Sequence, residues 1–353
     1  MDHGRWITRR RLLRDAGAGA GTLALAGAGA AHHATDARAA TPTSWQASVR
    51  ELERRVESRY VQNGDVRIHY AVAGRGSGKP LLLFVHGFPG WWWTWRHLMA
   101  ALMDRYTVAA LDMRGYHLSD KPEGVERYRI EELVVDLAYV IEDIGQKPAT
   151  VIGHDWGGGA CWGLAWGGPD GAAQGYVERL VTLNCPHPWG LERERHQNPA
   201  QAAAARYAQE FRRPDAAQRP LPEQMARKMY YVQTRVTPLA LALILSVREP
   251  LDLPRHYEAM RRTSIQAALN YYGANWPAEP YPAPSTDFKV RCPTLCIFGE
   301  KDEFLFVDTL DGTHRFVEND LSVEIIQRAE HFVHNDARHQ VTRILGDWLE
   351  RTA

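Results

Sequence analysis

Cysteine is scarce. The 353-residue chain has four, Cys161, Cys185, Cys292 and Cys296, too few for a disulfide framework and with no Cys-x-x-Cys pair for metal or redox work. They read as small buried apolar side chains. An excess of charge of one sign is also missing, with 42 Lys and Arg against 42 Asp and Glu. That balance removes the basic surplus with which proteins track a phosphate backbone or an anionic membrane, so no nucleic-acid partner is expected. The uncharged stretch 16–31 falls short of the roughly 20 apolar residues a spanning helix needs. There is no internal repeat. Gly19-Ala20-Gly21 follows no strand and so is no dinucleotide fingerprint. His331 and His334 have no third ligand at helical spacing. No cofactor and no metal are expected. With 45% hydrophobic side chains, the chain can bury a large core without either.

The N-terminus differs from the rest. Thr8-Arg9-Arg10-Arg11-Leu12-Leu13-Arg14 resembles the twin-arginine export motif, 16–31 supplies an Ala/Gly-rich apolar region, and Ala37-Arg38-Ala39 offers a cleavage box. Residues 1–39 are therefore expected to be an export signal, and the mature protein to lie outside the cytoplasm. Beyond it, short apolar runs alternate with amphipathic helices. Strands are expected at 66–71, 81–85, 107–111, 150–152, 180–183, 294–298 and 322–326. The alternation predicts an α/β fold with a mostly parallel sheet covered by helices on both faces. From 186 to 285 it gives way to Pro-broken helices, which predicts a helical lid inserted into a discontinuous core, 40–185 and 286–353.

Three sites at strand ends carry chemistry. Val151-Ile-Gly-His-Asp-Trp-Gly-Gly158 runs from a strand through Gly153-His154-Asp155-Trp156-Gly157 into a Gly-rich helix, the pattern of a nucleophile elbow with Asp in place of Ser. A carboxylate attacks sp³ carbon well and leaves an ester that water can hydrolyse. Leu82-Leu-Phe-Val-His-Gly-Phe-Pro-Gly90 places a turn after another core strand. Its Phe88 N–H and the Trp156 N–H stand where oxyanion donors belong. Trp156 and Phe88 are also the expected pocket side chains. Among 15 histidines, His331 alone sits after a late strand and before the final helix. Asp302 lies just beyond the preceding strand. The order Asp155, Asp302, His331 fits a nucleophile, an acid that orients the base, and the base.

Taken together, His86-Gly-Phe-Pro89, Trp95-Arg96, Asp112-Met-Arg-Gly-Tyr116, Gly153-His-Asp-Trp-Gly-Gly158, Gly299-Glu-Lys-Asp302 and His331 resemble the soluble epoxide hydrolase branch of the α/β-hydrolase superfamily, over roughly residues 60–350. The resemblance implies a cofactor-free enzyme that opens an apolar epoxide with water to a vicinal diol through an alkyl ester on Asp155. It also implies two lid tyrosines that protonate the epoxide oxygen, matched by Tyr207 and Tyr272, with Tyr271 the fallback. The chain departs from the family at Glu330, which replaces a Gly before the catalytic His and can raise the titration of His331, and at Gly90, which replaces an acidic residue. A dehalogenase shares the Asp nucleophile and is the alternative. Against it, Phe88 stands where a second halide donor is usual, and Trp156 and Gly157 stand where an Arg pair occurs in fluoroacetate-type enzymes. A non-catalytic ligand-binding relative has little use for nucleophile, base and acid together. The assembly expected is a monomer or homodimer.

Overall fold

The computed structural model describes residues 42–167, 173–219, 237–246 and 252–353. The export motif, apolar stretch and cleavage box lie outside the described residues. Helix α1 (Pro42–Arg55) leads into strands β1 (Glu57–Asn63), β2 (Val66–Ala73) and β3 (Leu81–Val85). Helix α2 (Arg96–Leu102), β4 (Thr107–Leu111), α3 (Ile130–Ile144), β5 (Ala149–His154), α4 (Trp156–Trp166) and β6 (Val177–Leu183) follow. The described helices of the next segment are α5 (Pro188–Gln197), α6 (Pro199–Ala204), α7 (Arg206–Phe211), α8 (Pro238–Ser246), α9 (Leu253–Arg262) and α10 (Ile265–Asn275). The chain closes with β7 (Thr294–Gly299), β8 (Leu321–Ile326), α11 (Val333–Asp336) and α12 (Arg338–Arg351).

The strands form one sheet in the order β1-β2-β4-β3-β5-β6-β7-β8. Pairing is antiparallel for β1 with β2 and β2 with β4, and parallel from β4 to β8. Strands covered on both faces read as continuous apolar runs, because alternate side chains serve two cores. In β3, Leu81, Leu83 and Val85 join one buried cluster while Leu82 and Phe84 join the other. Helix α12 buries Val341, Leu345, Trp348 and Leu349 against the second cluster. β1 is the strand absent from the sequence expectation. Its sequence, Glu-Ser-Arg-Tyr-Val-Gln-Asn, lies at the sheet edge with exposed and half-buried residues in alternation, so it lacks the apolar run that marks the central strands.

The inserted segment is tied to the loops at the carboxyl ends of the strands, where open α/β sheets place ligands. Asn275 at the end of α10 accepts from the Ile130 N–H at 2.8 Å and donates to the Tyr128 carbonyl at 2.9 Å. Gln201 of α6 donates to the Phe304 carbonyl at 2.7 Å and accepts from the Phe306 N–H at 2.8 Å. Among the described residues, no helix is long and apolar enough to cross a membrane.

Candidate active site

Asp155 is forced to the apex of the turn between β5 and α4. Its φ of 51° and ψ of −123° are unusual for a residue with a side chain, and such strain persists only where its surroundings over-determine it. The flanking glycines supply that constraint. A Cβ on Gly157 would run into the carbonyl oxygens of Val85 and His86, and one on Gly153 into the backbone of Gly157 and Gly158. The elbow is therefore wedged against the end of β3, from which the Phe88 N–H donates to Asp155 Oδ1 at 2.7 Å. The Trp156 N–H opens α4, where N–H groups have no intrahelical acceptor.

His86 braces this turn. Its Nε2 accepts from the Met113 N–H at 3.0 Å, so its Nδ1 carries the proton and donates to the Gly87 carbonyl at 2.8 Å. Burial lowers its pKa to about 4, which keeps it neutral. His154 is also lowered to about 4 by burial, and its Nε2–H donates to the His331 carbonyl at 2.9 Å.

His331 Nδ1 donates to Asp302 Oδ2 at 2.8 Å, and its Nε2 lies 3.7 Å from Asp155 Oδ2, beyond hydrogen-bond range. Asp302 is itself saturated. Its Oδ1 accepts from the Phe304 and Leu305 N–H groups at 2.8 and 3.1 Å, and its Oδ2 also accepts from Asn184 Nδ2 at 2.7 Å. Asn184 directly follows β6 and was not singled out from sequence. Its only sequence signal is its place at a strand end, where a lone Asn has no motif to set it apart.

Burial alone would lower the pKa of His331, but the charges of Asp302 and Asp155 on its two sides outweigh that and push it up to about 10. The same coupling holds Asp155 and Asp302 below the ordinary carboxylate value, although burial opposes it. The resting arrangement is an imidazolium between two carboxylates. The largest upward influences on His331 are the two aspartates. The Glu330 backbone N–H donates to Asp336 Oδ2 at 2.7 Å.

Asp155, Trp156, Tyr207 and Tyr272 line one cavity of about 830 Å³, of a size suited to a small organic molecule. The Tyr207 and Tyr272 rings meet edge to face at 5.9 Å, and Trp156 meets Tyr272 at 5.1 Å. Burial, then nearby groups including Asp155, raises both phenols well above their ordinary pKa. Tyr271 is committed elsewhere, its hydroxyl donating to the Arg114 carbonyl at 2.7 Å. Phe88 does not line this cavity; its ring packs on Phe211 and Tyr272, at 5.5 and 5.9 Å. Of the two expected pocket side chains, only Trp156 faces this space.

The four cysteines are buried and unpaired. Among the described residues, His69, Asp112 and His117 form one group of metal-ligand composition. Both imidazole Nδ1 atoms lie at hydrogen-bond distance from Asp112 Oδ2, 2.7 and 2.8 Å, and the Trp92 N–H donates to Oδ1 at 2.9 Å. These bonds tie the loop after β3 to β2 and β4.

The alpha/beta hydrolase fold family matches residues 80–337. The chain belongs to this family. Among its α/β-hydrolase relatives, the AB hydrolase superfamily protein YfhM of Bacillus subtilis is 33% identical over 301 residues, which cover 84% of this chain and 98% of that protein. Epoxide hydrolase 1 of Caenorhabditis elegans is 29% identical over 301 residues, 84% of this chain and 70% of that one. The crystal structure of Bacillus megaterium epoxide hydrolase in complex with an inhibitor matches with a TM-score of 0.70 at 28% identity, covering 83% of this chain and 100% of that chain.

Proposed function

We propose that this α/β-hydrolase is an epoxide hydrolase, opening an apolar epoxide to a vicinal diol by way of an ester on Asp155. The observation that carries the reading is the convergence of a carboxylate nucleophile and two cavity-lining phenols, Tyr207 and Tyr272, on one space. With Oδ1 held by the Phe88 N–H, Asp155 attacks a ring carbon through Oδ2. The C–O bond breaks, its electron pair goes to the ring oxygen, and a tyrosine hydroxyl supplies the proton. Esterification removes the Asp155 charge, and with it part of what keeps His331 protonated. His331 then sheds its proton, which restores the phenolate through solvent. The neutral imidazole, oriented by Asp302, takes a proton from water as that water attacks the ester carbonyl carbon. Phe88 and Trp156 N–H groups receive the oxyanion. Collapse releases the diol, which takes a proton from His331, and the regenerated carboxyl group of Asp155 returns one to His331.

The helices between β6 and β7 serve in this reading as the lid that brings both tyrosines over Asp155. A halide needs no proton to leave, so the two phenols have no comparable use in a dehalogenase. A panel of aryl and alkyl epoxides beside matched haloalkanes tests the assignment. Diol formation without halide release is expected, and halide release with no diol from any epoxide contradicts it. We also propose export through the twin-arginine-like leader, supported by the order of its motif, apolar stretch and cleavage box. Secreted protein is expected to begin near Ala40. An intact Met1 on exported protein, or export unaffected when Arg9 and Arg10 become Lys, contradicts it.

A further inference from the structure

Arg195, on α5, is a buried cation that forms no ion pair among the described residues. It is 7% exposed, its Nε has no hydrogen-bond partner, and among the described residues its guanidinium forms neither a hydrogen bond nor an ion pair. What it has is aromatic: its Cζ lies 4.4 Å from the ring centre of Trp276 and 5.4 Å from that of Tyr281. Rings partly offset the loss of water around a cation, yet they leave its N–H donors unused, and an unpaired buried charge is costly to keep. Burial lowers its pKa to about 10, so it remains charged at neutral pH.

Its position gives that charge a use. Arg195 lines the same cavity as Asp155, whose further walls include Val134, Trp166, Leu191 and Phe288. Trp276, another wall residue, meets the Trp156 ring at 6.1 Å and carries the guanidinium over its own ring. The nearby carboxylate, Glu192, is already occupied by the Ser285 and Thr286 N–H groups at 2.8 and 2.9 Å and by the Thr286 hydroxyl. Its charge favours the Arg195 cation without an ion pair between them, and it disfavours a dianion beside it.

We propose that Arg195 is an anion subsite that selects epoxides carrying a carboxylate, held by the guanidinium while the epoxide carbon faces Asp155. A planar guanidinium matches a carboxylate with two parallel N–H donors, and a single cation balances a monoanion. The substrate class is an amphiphilic epoxy acid whose apolar body lies along the cavity. This rests on the epoxide hydrolase reading, so the first arm of its test uses ligands that do not react.

Binding of phenylbutyrate and of phenylbutanol, which differ in the anionic group, is measured by calorimetry on the full chain. The wild type should prefer the acid by about ten- to hundred-fold, the scale of a hydrogen bond to a charged group in a buried site. Arg195→Met should bind both alike, and Arg195→Lys should keep a reduced preference. In the kinetic arm, the ratio of kcat/KM for ring-carboxylated styrene oxide over styrene oxide should fall by a similar factor in Arg195→Met. A wild type that binds both ligands alike, or an Arg195→Met protein that keeps the preference, overturns the subsite whether or not epoxides turn over. If Arg195→Met fails to fold, an undiminished preference in Arg195→Lys overturns it equally. Absence of turnover on every epoxide, with the binding preference intact, removes the enzymatic reading and leaves the anion site standing.

Discussion

The central residues act as a coupled set of charges, and what happens to one resets the others. In the proposed reaction His331 is needed chiefly after the ester exists, so His331→Gln should form the adduct and fail to hydrolyse it. Intact-protein and peptide mass spectrometry should find substrate mass retained on the peptide containing Asp155; an unmodified enzyme after exposure to a good substrate contradicts this. Tyr272→Phe removes a proton donor from the earlier step and should slow ring opening by roughly ten- to thousand-fold, within or below the usual range for general acids. Tyr207→Phe should behave similarly, with adduct accumulating more slowly in both than in His331→Gln. Stability carries the same coupling. His331 is raised from 6.5 to about 10 in the folded protein, so its stabilising contribution is full below about pH 6.5 and is lost as pH rises through about 10. The two aspartates are depressed, so their contribution is present above the ordinary carboxylate pKa and is lost as pH falls through their folded values. Urea unfolding at a series of pH values should therefore show the advantage of wild type over His331→Gln shrinking between pH 6.5 and 10. A constant difference excludes the coupling.

At the scale of elements, α10 matters because it brings Tyr272 to the cavity that Asp155 lines and gives Tyr271 to the Arg114 carbonyl. Asn275 holds the end of that helix to the loop before α3. Asn275→Leu leaves the Ile130 N–H and the Tyr128 carbonyl without this partner, at a cost of about 1–3 kcal/mol for each group that stays unsatisfied. The denaturation midpoint should drop, and adduct formation should slow more than adduct hydrolysis; an unchanged adduct rate means α10 does not depend on this tie. These ties were not legible in the sequence, because a lone Asn or Gln in a Pro-broken helical stretch has no partner until the chain is folded. Strands β3 and β4, by contrast, were readable to the residue, since both faces are buried and every position is apolar or a buried Thr. The polar edge strand β1 escaped for the opposite reason. Asp155, Asp302 and His331 stood out because each follows a strand and their order repeats a known device. Asn184, at an equivalent strand end, needed the observed 2.7 Å bond to Asp302 to reveal its part.

For the whole molecule, the sheet delivers groups far apart in sequence to one end, and the inserted helices supply the rest. The Phe88 turn follows β3, Asp155 follows β5, Asn184 follows β6, Asp302 follows β7 and His331 follows β8, so the pocket forms only when the parallel sheet has closed in register. The helices between β6 and β7 contribute Arg195, Tyr207 and Tyr272 to the same cavity. In the proposed reaction the protein itself is briefly esterified, and that covalent step is the central claim. A single turnover in heavy-oxygen water, with enzyme in excess over epoxide, tests it most directly. The covalent account predicts that the diol carries no label, because its new oxygen comes from the Asp155 carboxylate, and that the label is found on the Asp155 peptide. Labelled diol with an unlabelled Asp155 would mean that water attacks the epoxide directly, and would contradict the account.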